Sequence, residues 1–291
     1  MSSSILTDLL LPLSLAIIMF GMGLTLTHLD FTRLWQTPKP ILIGMLGQLL
    51  LLPLIAFALA VGLSLPVEVA IGLLILAACP GGTMSNLVSH LVKANLALSI
   101  SLTAISSAIC VFTAPLIIQF AVYYFAGQQA AEFSLLSVSL GLLLLTLIPI
   151  LVGMLVRRYA REWAIRVEVW FRRFALIMML FLIIGLVYQE WHTLQQHFMS
   201  LFGVCILLNG LAITVGWGLA KANGLTIQDG FTLAIEVGLQ NSTMAMLISI
   251  SLLQMPSYAI SAGIYSIAMY VGVLGLITFN KVMNKSQAVV N

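Results

Sequence analysis

The chain has 291 residues, of which 61% are hydrophobic and 7% charged, with 12 Lys/Arg against 9 Asp/Glu and a formal net charge of +3. A soluble domain carries roughly a quarter charged residues, so this composition excludes a water-soluble fold of such length. Disorder, coiled coil, collagen and a disulfide scaffold go with it, and the modest charge gives no sign of a nucleic-acid partner.

The solvent this composition calls for is a lipid bilayer, whose core of about 30 Å needs about 20 apolar residues in helical form. That rule predicts an all-α polytopic membrane protein with nine transmembrane helices in a single transporter domain covering 1–291. In chain order the spans are Leu9–Thr27, Pro40–Gly62, Ala70–Leu91, Leu96–Phe125, Ser134–Val156, Phe174–Tyr188, Met199–Lys221, Gly230–Leu253 and Tyr258–Asn280. The stretch before the first span has no cationic region, and no Ala-x-Ala signal follows it, so that span is expected to remain a mature helix. Between the fifth and sixth spans, Arg157–Arg173 carries Arg157, Arg158, Arg161, Arg166, Arg172 and Arg173, and reads as a basic amphipathic segment lying in the interface. Cys79, Cys110 and Cys205 lie in apolar stretches without metal-ligand spacing, and read as small buried hydrophobes.

The cations set an orientation. All 12 Lys and Arg fall in alternate connections and in the tail after the ninth span. The opposite side holds Asp8, Glu68, Glu132 and Glu190 instead. Positive residues mark the cytoplasmic side. The N-terminus is therefore expected outside and the C-terminus in the cytoplasm, as for a protein of the inner membrane.

Two spans are broken. The third is interrupted at Ala78-Cys79-Pro80-Gly81-Gly82, where proline removes a backbone donor and the glycines loosen the chain. The eighth is interrupted at Glu236-Val237-Gly238-Leu239-Gln240-Asn241-Ser242. Non-helical backbone at membrane depth is tolerated where it faces protein or a watery cavity; for the third span a plain proline kink patched by Ser and Thr is the alternative. The breaks correspond in position. Each carries a Ser/Asn pair, Ser85-Asn86 and Asn241-Ser242, and one helix earlier each half places an amide in mid-span, Gln48 and Asn209. The spacing predicts an inverted repeat, with halves at approximately 9–125 and 174–280 linked by helix 134–156 and the basic segment 157–173.

Glu236 is the one acidic residue inside any predicted span. Glu68 and Asp229 sit near span ends and read as solvated, as do His28, His90, His192 and His197. A carboxylate in mid-membrane is costly unless it is paired or hydrated, and no intramembrane Lys or Arg is at hand, so its expected partner is a cation, a proton or a substrate. Neutral oxygens cluster in the sequence around it: Gln240 at i+4, the i,i+4 pair Ser99 and Thr103, and Ser85, Asn86, Gln48 and Asn241. Hard cations want several oxygen ligands. The second half of the third span begins near Thr83, and a helix N-terminus there invites an anion. Together these predict sodium as the coupling ion and an organic anion as cargo. A sodium-independent or proton-coupled carrier on the same scaffold is the alternative. An ion channel or sensor follows less readily, and an enzyme least, since there is no HExxH, paired intramembrane aspartate or Walker A run.

At Cys79-Pro80-Gly81-Gly82-Thr83-Met84-Ser85-Asn86 and Glu236-Val237-Gly238-Leu239-Gln240-Asn241-Ser242 the chain resembles the bile acid:sodium symporter family, over essentially its whole length. The resemblance implies a nine-helix form with a panel domain and a core domain, two discontinuous helices crossing at the ion sites, and two sodium ions. One site would use Ser85, Asn86, Ser99, Thr103 and Glu236. The other would use Gln48, Glu236 and Gln240 with backbone oxygens, and Thr83 and Asn241 would line the substrate cavity. Some bacterial members place a His-Asn pair in the last helix; here the stretch reads Tyr265-Ser266-Ile267-Ala268-Met269-Tyr270. That leaves the cargo open between a bile acid and a smaller carboxylate.

Overall fold

In a computed structural model of the chain, the described residues are 9–127 and 135–290. Asp8, Glu132 and the predicted span start at Ser134 lie outside them, and so do the side chains of Thr83, His197 and Lys285. The described residues are almost entirely helical. Six helices are long and apolar enough to cross a membrane: Pro38–Gly62, Leu96–Ala126, Val138–Tyr159, Arg161–Gln189, Phe198–Ala222 and Pro256–Val282. Of three shorter apolar helices, Leu11–Thr25 and Ser242–Leu252 fall inside the first and eighth predicted spans, and Val67–Ala78 begins three residues before the third.

The elements that matter for the site are these. Helix α1 is Leu11–Thr25 and α2 is His28–Gln36. Helices α3 (Pro38–Leu46) and α4 (Leu52–Gly62) are joined through one wider turn at Gly47–Leu51. The broken third span is α5 (Val67–Ala78) and α6 (Thr83–Leu91), followed by α7 (Leu96–Ala126). Then come α8 (Leu135–Leu142), α9 (Ile148–Tyr159), α10 (Arg161–Gln189) and α11 (Trp191–Ala222). The broken eighth span is α12 (Ile227–Gly238) and α13 (Ser242–Leu247), and α14 (Ala259–Val290) closes the fold.

Two bodies of helices emerge from the packing. Helix α1 lies against α9 and α10, while α11, α12 and α14 pack together, as do α4, α5 and α7. Contact within the first body is very close. A Cβ on Gly23 would meet the Ile150 carbonyl oxygen at 2.2 Å, and one on Gly153 would meet that of Phe20 at 2.4 Å. Small residues let helix backbones approach where lipid tails offer no hydrophobic drive for association. Because the obstructing atoms are backbone, the clash cannot be relieved by a rotamer change. Gly23→Ala is expected to lower the thermal midpoint in detergent by the equivalent of about 1–3 kcal/mol of overpacking; an unchanged midpoint would mean the crossing is looser than described.

Two connections are helical, and one expectation is corrected. The basic stretch 157–173 divides between two helices: Arg157 and Arg158 lie in the last turn of α9, the chain bends at Ala160, and residues from Arg161 onward belong to α10. No Gly or Pro interrupts that sequence before Gly185, and its Arg, Glu and Leu are good helix formers, so the helix simply continues into the predicted sixth span. The first connection holds α2, started by a capping box in which Asp30 accepts from Thr27 N and Oγ1 at 2.8 Å each. Arg33 then ties α2 to α7 by donating to the Ala97 carbonyl at 2.7 Å. Asp229 is not solvated. It is 8% exposed and accepts from Asn95 Nδ2 at 2.8 Å. Its partner is a helix-capping residue, for Asn95 Oδ1 also accepts from Leu98 N at the start of α7. All three cysteines are buried and free, as expected.

Candidate functional site

The two breaks meet. Gly81 and Gln240 pair as an isolated antiparallel bridge, and Asn241 N donates to the Pro80 carbonyl at 3.0 Å. The extended residues between α5 and α6 thus satisfy those between α12 and α13, which is how irregular backbone survives away from water. The helix ends at the crossing are closed from neighbouring helices. Gln48 Nε2 donates to the Cys79 carbonyl at 3.0 Å, and Asn209 Nδ2 donates to the Gly238 carbonyl at 2.8 Å. The amides singled out by position in the two halves therefore do equivalent work. Tyr265, fully buried, donates to the same Gly238 carbonyl at 2.7 Å. Sequence reading missed it, because a tyrosine in an apolar span carries no signal beyond its hydroxyl.

Glu236 ends α12 at the centre of this crossing, 3% exposed. Its carboxylate accepts from Ser85 Oγ at 2.6 Å, from Thr103 Oγ1 at 2.9 Å, and from Ser99 Oγ. Each hydroxyl comes from a different turn of α6 or α7, and Ser99 and Thr103 share a face through their i,i+4 spacing. There are more acceptors here than protons. Ser85 Oγ also approaches the Gly82 carbonyl at 2.7 Å, and Ser99 Oγ also approaches Asn86 Oδ1 at 2.9 Å. A hydroxyl has one hydrogen. At Ser85 one contact therefore brings two lone-pair oxygens together, beside a carboxylate with no Lys or Arg ion pair among the described residues; at Ser99 a turned Asn86 amide would donate from Nδ2. A bound cation or a proton on the carboxylate would relieve this crowding. Ser89, also buried, extends it by donating to Ser99 Oγ at 3.2 Å; its i+4 spacing from Ser85 was the available clue.

The Gln48–Gln240 part is different. Gln240 lies beyond the end of α12, in the break. Its Nε2 turns back to the Val237 carbonyl at 2.8 Å and the Glu236 carbonyl at 3.4 Å, and Gln48 Nε2 donates to Gln240 Oε1 at 2.8 Å. Gln240 Nε2 also lies 3.3 Å from Gln48 Oε1, so its two hydrogens face three acceptors. An ion held by these oxygens requires the two amides to turn.

Beside the crossing is a cavity of about 360 Å³. Helices α1 and α10 form one wall; α6, the start of α7, the chain from Leu239 to Thr243, and α14 form the other. Asn86 and Asn241 both reach it. Asn241 is at the same time the cap of α13, its Oδ1 accepting from Met244 N at 3.0 Å. Thr83 begins α6 between the lining residues Gly82 and Met84.

Apolar helices, a polar crossing of two broken helices and an adjoining cavity define an integral membrane protein of the transporter class. Residues 12–197 match the model of the Sodium Bile acid symporter family. The chain belongs to that family, one of sodium-coupled transporters rather than enzymes. It is 33% identical, over 87% of its length and 77% of the other's, to the uncharacterized sodium-dependent transporter YocS of Bacillus subtilis (strain 168). It is 28% identical to the probable sodium/metabolite cotransporter BASS2, chloroplastic, of Oryza sativa subsp. japonica, over 94% of its own length and 64% of that protein's. With the human sodium/bile acid cotransporter 4 it shares 31% identity over 78% of its length, spanning 52% of that protein.

Proposed function

We propose that the protein is a symporter that couples inward sodium movement to import of an organic anion by alternating access. In this reading nine helices cross the inner membrane as an inverted repeat, with the N-terminus outside and the C-terminus in the cytoplasm. One sodium ion is held by Ser85, Asn86, Ser99, Thr103 and Glu236. A second takes Gln48, Glu236 and Gln240 with backbone oxygens, after the two amides turn. The anion occupies the cavity between the two bodies of helices, near Thr83 and Asn241. Sodium binding draws the crossing together, and movement of one body against the other then switches the cavity between sides.

The observation that carries this reading is the surplus of oxygen lone pairs around Glu236. Sodium is favoured over a proton by the sodium-dependent relatives; a proton on the carboxylate supplies one donor and relieves Ser85 as well. The test is uptake into proteoliposomes under an inward sodium gradient, with potassium replacing sodium in one arm and an inward pH gradient in another. Sodium-driven, saturable, charge-carrying uptake is expected. Uptake driven equally by the proton gradient without sodium would overturn the sodium assignment.

A further inference from the structure

Helix α10 turns two unlike faces to its surroundings. One holds its buried residues Ala164, Leu182 and Leu186, and on that side Phe171 and Ala175 line the cavity. The opposite face carries Trp163, Arg166, Trp170 and Arg173, all exposed, at steps of three, four and three residues. On a helix of 3.6 residues per turn that spacing sets two indole rings and two guanidinium groups in one alternating stripe. Arg173 lies over the Trp170 ring at 5.0 Å. The stripe runs on through Ile177, Phe181 and Ile184, which are exposed in the same register.

The charge at this end of the helix is not neutralised from within. Residues 157–173 hold six Arg against Glu162 and Glu168. Glu168 is engaged by Arg172, and among the described residues Arg157, Arg158, Arg161, Arg166 and Arg173 form no ion pair. At the end of α9, Arg157 Nη1 is buried without a hydrogen-bond partner among the described residues, a costly state that an acceptor oxygen relieves. The uncharged part of α10, Phe174–Tyr188, is roughly 15 residues or about 22 Å long, against a bilayer core of about 30 Å. A helix that is short for its bilayer is accommodated by local thinning and by snorkelling of the flanking residues. Both bring Arg166 and Arg173 to the level of the lipid phosphates, where tryptophan also partitions.

We propose that this stripe is a binding site for an anionic diacyl phospholipid, with the phosphate held by Arg166 and Arg173 and the acyl chains laid along Ile177, Phe181 and Ile184. An amphiphile matches both halves of the stripe, whereas a soluble acidic partner would meet the cations and leave the apolar continuation uncovered. Arginine's planar fork takes a phosphate through two parallel N–H donors. Stacking on Trp170 holds the Arg173 guanidinium in place while leaving its edge free to donate. Clusters of cations beside a membrane helix draw anionic lipid out of a mixed leaflet. Because the reverse face of α10 lines the cavity, a lipid gripping the stripe anchors one cavity wall in its leaflet. The lipid site is independent of the coupling ion and of the cargo, and requires only that the chain lies in a bilayer.

The test follows the thermal midpoint of the purified full-length protein in detergent and sodium-free potassium buffer. The probes are dioleoyl phosphatidylglycerol, dioleoyl phosphatidylcholine and free glycerol 3-phosphate, each titrated alone. A ligand of the folded state raises the midpoint. Phosphatidylglycerol is expected to half-saturate this rise at a concentration at least tenfold below phosphatidylcholine, and glycerol 3-phosphate to produce none. The double variant Arg166→Gln, Arg173→Gln should bring phosphatidylglycerol to the level of phosphatidylcholine, and Arg166→Lys with Arg173→Lys should keep part of the preference. Lys39→Gln with Lys221→Gln removes the same charge from exposed positions elsewhere and should leave the preference within threefold of wild type. Equal response of the wild type to the two lipids would overturn the proposal. So would a preference that survives in the arginine-to-glutamine pair, one that the lysine control lowers equally, or a matching rise with glycerol 3-phosphate. If the glutamine pair does not fold, the wild type decides in about 0.5 M potassium chloride, where charge interactions are screened within a few ångströms. There the preference should shrink at least threefold, and an unchanged preference overturns the proposal instead.

Discussion

Glu236→Ala is expected to reduce sodium-dependent uptake about 100-fold while leaving folded protein in the membrane. The magnitude follows from removing one partner of a buried charge interaction, about 3 kcal/mol at the low end, which is about two factors of ten in an equilibrium constant. The fold should survive because the carboxylate is a liability without its cation. In the variant, Ser85 can donate to the Gly82 carbonyl and Ser99 to Asn86 Oδ1 without competition, since both contacts already exist. The measurement has two arms: uptake under a sodium gradient, and the shift of thermal midpoint with rising sodium. A ligand that binds only the folded state stabilises it in proportion to the logarithm of its concentration. Wild type should climb with sodium, and Glu236→Ala should be flat. Glu236→Gln separates charge from shape, because the amide keeps an oxygen and the side-chain length. It too should be flat; a sodium response preserved in Glu236→Gln would mean that the neutral oxygens alone hold the ion.

Both breaks were legible because each has a local chemical cause. Pro80 with Gly81 and Gly82 cannot continue a helix, and a charged residue followed by Gly238 in an otherwise apolar span has no bland purpose. The grouping of Ser85, Ser99 and Thr103 around Glu236 was legible in part. The i,i+4 pair fixed a shared face, but nothing local states that α6 and α7 fold back onto α12. What stayed hidden depends on distant partners. Asp229 looks like any acid at a span end until Asn95, 134 positions away, is seen to hold it. Helix α2 is nine residues long, too short to stand out by periodicity; its signal, Thr27 followed three residues later by Asp30, was present but buried in a connection. That the basic stretch runs on as one helix from Arg161 was not read, although an α-helix can carry arginines on one face without ending. The way the amides of Gln48 and Gln240 face each other is a rotamer property and lies beyond sequence altogether.

Gly81→Ala is the sharper probe of the crossing, because it adds one methyl group and no chemistry. A Cβ at Gly81 would meet Glu236 Oε2 at 2.7 Å, well inside contact distance. That oxygen is the far end of a flexible side chain, so the clash is relieved by moving the carboxylate and not by unfolding the backbone. The carboxylate, however, is held by three hydroxyls on α6 and α7. Displacing it breaks the oxygen cluster from inside, while the antiparallel pairing of Gly81 with Gln240 remains available to alanine. The neighbour supplies the control. At Gly82 an added Cβ would find its nearest atoms, the Asn241 Cα and the Gln240 carbonyl oxygen, at 3.7 Å, which is ordinary van der Waals contact. Gly81→Ala is therefore expected to raise the sodium concentration for half-maximal uptake at least tenfold, and Gly82→Ala to change it less than threefold, both at near-normal folded yield. The two residues are adjacent, share the same break and differ in what faces them, so helix propensity and general loosening affect both alike. Equal effects from the two substitutions would place the sensitivity in the backbone of the break and remove Glu236's carboxylate from the centre of the ion site.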